Sequence, residues 1–351
     1  MDENRRAFLD DLLSTATPSG FETAGQRTWV AYVSEFADEV RTDDYGNAVA
    51  IVEGGDTEVA LAGHGDEIGF MVRDVEDSGM IRMTPIGGSD RTISKGQHVR
   101  IHTDDGPVPG VVGQTAIHLR DPEEDKVDDI EEQHVDIGVE DGEAAEELVE
   151  VGDPITFDQT ISDLAGERVA ARGLDNRIGI WAAAEGLRRA AERGPEATVY
   201  AVSTVQEELG LQGAKMVGFD LAPDAVVATD VTHATDAPGT PSGKETGLEL
   251  GAGPVVARGS ANHPKVVSAV REAAAEADID VQLQATGSRT GTDADAFFTS
   301  RGGIPSLNLG VPNRYMHTPV EVLDLEDLDA TADLLAEFAL SAHDQEFSVD
   351  I

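Results

Sequence analysis

The chain has 351 residues, with 68 Asp plus Glu against 25 Lys plus Arg, a formal net charge of −43. That balance argues against nucleic acid or an anionic membrane as partner, because a phosphate surface has to be met by clustered cations. Cysteine is absent, which excludes disulfides, thiolate nucleophiles and cysteine-held zinc, so any metal has to be bound by histidines and carboxylates. In chain order, Phe8, Leu9, Leu12 and Leu13 recur at helical spacing up to a stop at Thr17-Pro18-Ser19-Gly20. A second helix is expected over 24–37, and a turn at 43–47 leads into strands over 48–52 and 58–63. From 73 to 165 the texture changes to short alternating segments such as MIRMTPIG, HVRIHTDD and VPGVVGQ, interrupted by an acidic stretch over 121–147. Gly, Pro and Asp separate these segments, the pattern of a small β-barrel or sandwich.

Beyond 173 helices and strands alternate. Helices are expected over 176–193, 211–217, 264–277, 293–300 and 325–342, and strands over 198–205, 225–229, 281–285 and 306–309. The alternation predicts an α/β protein: an α/β/α sandwich made of 1–72 and 166–351, with a β-rich domain inserted at 73–165. No apolar run approaches the roughly 18 residues that span a bilayer, and the opening MDENRRAFLDDLL is too acidic for a signal peptide, so a soluble cytoplasmic protein is expected. Hydrophobic residues still make up 40%, which points to a solvated acidic surface over a core rather than to disorder. Only five cations are lysine (Lys95, Lys126, Lys215, Lys244 and Lys265). The balance resembles that of proteins from salt-in halophilic archaea, where molar salt shrinks the Debye length to about 3 Å and removes most self-repulsion.

The residues with chemistry to offer fall at strand ends. In LAGHGDE, His64 and Asp66 share one face of an extended strand at its C-terminal end, where open α/β sheets place ligands; a structural pair is the plainer reading of His-x-Asp alone. Asp175, in GLDNR, stands where a loop becomes a helix, as an N-cap or as a carboxylate between two metals. Glu207-Glu208 closes a strand; two adjacent acids repel unless a cation compensates, so one could ligate while the other takes a proton from water. Asp230 follows an apolar strand and His317 lies beyond another. Together His64, Asp175, Glu208, Asp230 and His317 offer two imidazoles and three carboxylates, a set suited to a pair of divalent ions.

HGDEIGFMV, GLDNRIG, VQEELGLQGA, ATDVTHA, GTDADAF and RYMHTPVEVL resemble, in order and across nearly the whole chain, the motif series of the M42 metallopeptidases, the tetrahedral TET aminopeptidases. The resemblance implies one metal held by His64 and Asp230, another by Glu208 and His317, with Asp175 bridging, Glu207 as general base and Asp66 orienting His64. It implies zinc or cobalt, peptide substrates, and a dodecamer built from dimers through the inserted β domain. Gly65 departs from the family's usual hydrophobic residue, which leaves the ligands intact and loosens the strand. Thr292-Asp293 resembles a substrate-pocket loop, and either residue could equally cap a helix. His233 is a candidate support for Asp230. His118 and the segment 110–114 are expected in packing or an interface, and His98, His102, His134, His263 and His343 at structural or surface positions. Two other readings are an endoglucanase-type hydrolase, disfavoured because adjacent acids can hardly flank a sugar, and a non-catalytic scaffold, disfavoured because no ligand is lost.

Overall fold

The computed structural model describes residues 1–120, 127–159, 161–349 and 351, so Lys126 and the start of the acidic stretch lie outside the described residues. Helices α1 (Glu3–Ser14) and α2 (Thr23–Val33) precede β1 (Glu39–Thr42), β2 (Ala48–Val52) and β3 (Gly55–His64). The chain then forms β4 (Gly69–Val75), β5 (Ile81–Ile86), β6 (His98–Thr103), β7 (Gly106–Val112), β8 (His134–Asp136), the short helix α3 (Gly142–Glu146) and β9 (Pro154–Phe157). These six strands close into a barrel around Phe70, Ile81, Met83, Val99, Ile101 and Ile155. A return path through β10 (Ser162–Asp163) and β11 (Arg168–Ala171) reaches the long helix α4 (Leu174–Arg193).

The remainder alternates: β12 (Ala197–Thr204), α5 (Gln212–Asp220), β13 (Ala225–His233), β14 (Val255–Arg258), α6 (Pro264–Glu276), β15 (Gln282–Ala285), α7 (Asp293–Thr299), β16 (Ser306–Asn313), β17 (Glu321–Asp324) and α8 (Leu325–Ser341). The main sheet has eight strands in the order β1-β2-β12-β3-β13-β16-β14-β15, and its central four, β12, β3, β13 and β16, run parallel. Both faces are covered. Along β3, Val59 and Leu61 point into the core shared with α1, α2, α4, α6 and α8, while Ala60 and Ala62 point into the core shared with α5 and α7. A period of two with both parities apolar is what a doubly covered sheet requires, and it explains the continuous apolar runs of its strands.

Some expected bounds shift. Helix α2 ends at Val33 rather than 37, and β13 continues to His233, paired with β16 as far as Asn313, so Asp230 lies inside a strand instead of past its end. The N-cap of α4 is Gly173 in a left-handed conformation (φ 59), not Asp175, whose backbone is non-helical. A Cβ on Gly173 would fall 2.0 Å from the Arg177 guanidinium, so glycine is required there twice over.

Candidate metal centre

Because the four central strands are parallel, their C-terminal ends share one edge, and the loops leaving that edge converge. His64 is the last residue of β3, Glu207 and Glu208 follow β12 through Gln206 in the left-handed region (φ 54), Asp230 lies on β13, and His317 follows β16 with φ 61. Asp175 comes from the non-helical start of α4. The sequence-predicted ligands are therefore brought together from five segments.

Asp175 spans the cluster. Its Oδ1 lies 3.3 Å from His64 Nε2 and its Oδ2 lies 3.2 Å from His317 Nε2, so each oxygen faces a different imidazole. His64 Nε2 is also 3.7 Å from Glu207 Oε2 and 3.8 Å from Asp230 Oδ1, and His317 Nε2 is 3.4 Å from Glu208 Oε1. Donor atoms of His64, Asp175 and Asp230 all lie within 4.8 Å of one another, and so do those of Asp175, Glu208 and His317. A third such group, His64, Glu207 and Glu208, overlaps the first two. Two imidazoles with carboxylates of this spacing suit borderline divalent ions.

The surroundings fix these side chains. Asp66 is fully buried and accepts from Ser19 Oγ at 2.6 Å and from the backbone N–H groups of Glu207 (3.0 Å) and Glu208 (3.2 Å). Its Oδ1 stands 3.3 Å from His64 Nδ1, which turns Nε2 toward the cluster. Burial opposes ionisation of Asp66, but His64, Ser19 and the Glu207 N–H outweigh it and lower its pKa. Gly65 donates to the Thr204 carbonyl at 2.9 Å, which holds the end of β3 against β12, and a Cβ there would meet Ser203 Oγ at 3.2 Å.

Two acids escaped the sequence reading. Buried Glu321 on β17 accepts the backbone N–H of Asp175 at 3.0 Å and that of His317 at 2.8 Å, so one carboxylate positions two candidate ligands. Glu67 is buried among Arg172, Arg177 and the Thr17 N–H, and the arginines draw its carboxyl down to about 2 against burial. The signal for Glu321 was its place in the RYMHTPVEVL motif. The barrel contributes as well: a Cβ on Gly88 would lie 3.0 Å from the His317 ring, and one on Gly87 3.2 Å from Glu208 Cβ.

The charges do not balance internally. Burial raises the pKa of Asp230 and Glu208, with Asp175 adding to both, and pushes Glu207 up to about 10, with Asp230 and Asp293 adding and His64 opposing. His317 is pushed up to about 11 by Asp175 and Glu208, and the two imidazoles hold Asp175 well below the usual carboxylate range. So many buried acids around two imidazoles would be relieved by cations, and the residues fit divalent metal.

Other predicted positions fall as follows. Thr292 is the N-cap of α7, and Asp293, buried behind it, accepts from Thr204 Oγ1 and has an Oδ1 without a hydrogen-bond partner among the described residues. His233 is exposed and lines the same cavity of about 520 Å³ as the cluster. His118 is exposed, His102 pairs with Thr156, His134 with Glu76, and His343 with the Leu340 carbonyl.

The family model of the M42 glutamyl aminopeptidases matches residues 46–334. A lysyl aminopeptidase of Pyrococcus furiosus is 36% identical over 93% of this chain and 94% of its own. A TET aminopeptidase structure from Thaumarchaeota archaeon SCGC AB-539-E09 superposes with TM-score 0.91 at 30% identity, covering 96% of each chain. The TET1 peptidase of Pyrococcus horikoshii, described as assembling into a tetrahedron or a large octahedral shell, gives 0.84 at 31% identity over 96% of this chain and 99% of its own. A Thermotoga maritima structure labelled endoglucanase is 24% identical, with a TM-score of 0.75 over 94% of this chain and 96% of its own, and shares the fold.

Proposed function

The chain belongs to the M42 family of aminopeptidases, and from that membership we propose that its strand-end cluster is a two-metal centre that releases N-terminal residues from peptides. In this reading His64 and Asp230 hold one ion, Glu208 and His317 hold the other, and Asp175 bridges. The observation that carries it is the pair of Asp175 oxygens, one facing each imidazole. Divalent ions there, zinc or cobalt by donor type, supply Lewis acidity that polarises the scissile carbonyl and lowers the pKa of a water toward 7.

The chain's own residues do the rest. Glu207 stands beside the ligands, belongs to neither proposed ion's set, and is positioned to take a proton from the attacking water and return it to the leaving amine. Asp66 keeps His64 in one orientation, and Glu321 does the same for Asp175 and His317. The carboxylate-lined floor of the cavity favours a free α-amino group at its end, which confines cleavage to the first peptide bond. By analogy with TET relatives, the barrel serves dimerisation on the way to a dodecamer, in a cytoplasmic protein.

Hydrolysis of free and N-acetylated aminoacyl peptides by wild type and Glu207→Gln tests the assignment, with bound metal counted in both. The reading predicts release from free N-termini only, a loss of about 10³-fold or more in the variant, and unchanged metal content. Cleavage of blocked peptides, or an active variant, contradicts it. The −43 charge further supports a halophilic type, for which the unfolding midpoint rises between dilute buffer and molar KCl; an unmoved midpoint excludes this.

A further inference from the structure

The turn that carries Glu207 is held by acceptors from outside it. Residues 205–208 follow β12, and Gln206 sits in the left-handed region with φ 54, a conformation that a residue with a side chain keeps only where its surroundings impose it. The four successive N–H groups all donate to buried side chains of other segments. Val205 donates to Asn47 Oδ1 at 3.0 Å, Gln206 to Glu22 Oε1 at 3.1 Å, and Glu207 and Glu208 to the two oxygens of Asp66 at 3.0 and 3.2 Å. The carbonyls of Val205, Gln206 and Glu207 accept from the chain just beyond, from the N–H groups of Gly213, Gln212 and Gly210.

Glu22 is a buried acid whose placement needs a reason. It stands at the start of α2, where a polar side chain commonly caps the helix, yet it makes no capping bond. It bends back instead: Oε1 accepts the Gly20 N–H at 2.7 Å as well as that of Gln206, and Oε2 takes no hydrogen bond among the described residues. Burial lifts its carboxyl to about 7, against the Gly20 and Gln206 N–H groups and with Asp66 adding, so a charge there is costly and the accepting oxygen is what the turn uses.

The two acids delivered by the turn differ in what fixes them. Glu208 faces His317 Nε2 at 3.4 Å, and as a proposed ligand it is aimed by coordination. Glu207 is in neither proposed ion's set; no hydrogen bond to its carboxylate occurs among the described residues, and it faces His64 Nε2 at 3.7 Å. Its aim is therefore set by the backbone from which it hangs, and the residue just before it, Gln206, is the strained one.

We propose that Glu22 is a positioning residue for the general base: by accepting the Gln206 N–H it holds the left-handed turn that points Glu207 at the attacking water. The inference rests on the aminopeptidase reading above and its assignment of Glu207. Without that acceptor Gln206 relaxes toward negative φ and Glu207 swings away, while the ligands, tied by coordination, stay in place.

The test measures kcat and KM on the p-nitroanilides of Glu, Leu and Lys, together with metal content and thermal unfolding, in wild type, Glu22→Ala, Glu22→Gln, Glu22→Asp, Glu207→Gln and the double variant Glu22→Ala/Glu207→Gln. In Glu22→Ala kcat should fall by about 10- to 100-fold, with KM within about twofold and metal content as in wild type. Glu22→Gln keeps the accepting oxygen and should stay within about threefold of wild type, whereas Glu22→Asp, one methylene shorter, should lose kcat as Glu22→Ala does. These two variants carry the test if Glu22→Ala does not fold. Adding Glu22→Ala to Glu207→Gln should cost no further activity, because the effect acts through Glu207. An unchanged kcat in Glu22→Ala, loss of metal there, a kcat in Glu22→Gln as low as in Glu22→Asp, or additive losses in the double variant overturns the role of Glu22 alone. A fully active Glu207→Gln, or cleavage of none of the substrates, overturns the aminopeptidase reading instead, and this inference with it.

Discussion

The barrel and the sandwich bury the same kinds of apolar side chain and differ in what else they bury. Between Gly69 and Phe157 the buried polar residues among those described are Ser94, Gln133 and Thr156, none of them charged. The sandwich buries His64, Asp66, Glu67, Asp175, Arg177 and Asp230 near the ends of its parallel strands, among other charges. Burying a charge costs several kcal/mol unless it is paired, so charges concentrate where chemistry or a structural pair calls for them. The barrel can therefore be read as a support that approaches the site with backbone at Gly87 and Gly88 and with the Phe157 ring.

Four changes would break or sharpen that contrast. The largest effect is expected from Asp175→Asn, which removes the carboxylate shared by both imidazoles; kcat/KM should fall by about 10³-fold or more while the fold persists, as circular dichroism would verify. Phe70→Ala in the barrel should do the reverse. It deletes a fully buried ring packed edge-on against Phe157 at 5.3 Å between centroids, and should cost about 3–5 kcal/mol in urea unfolding with bound metal per folded chain unchanged.

Acid should separate the regions next. Glu67 has a folded pKa of about 2 against an ordinary value of 4.5, so its contribution is complete above pH 4.5 and is lost as pH falls toward 2. Both tryptophans, Trp29 and Trp181, are buried in the sandwich, so their fluorescence reads that region. The urea midpoint it reports should drop through this window, and the drop should shrink in Glu67→Gln. The smallest effect is expected from Gly88→Ala, whose new Cβ would press on His317: kcat/KM should fall about tenfold, with a change of less than about 1 kcal/mol in stability.

Much of the sandwich was legible because its central strands are short apolar runs bounded by turn signals, and residues such as His64 and Glu207 stand out as polar groups that end such runs. Asp230 was misplaced relative to its strand because an acid looks like a terminator, whereas β13 carries it inside the β13–β16 ladder. Strand β1, Glu39–Thr42, was missed because it is a charged edge with little buried surface. Ser19 was invisible as a site residue because its partner Asp66 lies 47 residues away and the fold joins them. Glu321 sits four residues from His317 in one motif and was passed over because its second partner, Asp175, is distant in sequence. Gly88 was silent because its role is the absence of a side chain next to His317.

The central claim is that Asp175 stands between two metal ions. Anomalous diffraction from crystals of the protein grown with zinc tests it most directly. The account predicts two peaks per chain, one beside His64 and Asp230, the other beside Glu208 and His317, with an Asp175 oxygen facing each. A single peak, or two peaks that leave Asp175 uncoordinated, would contradict it.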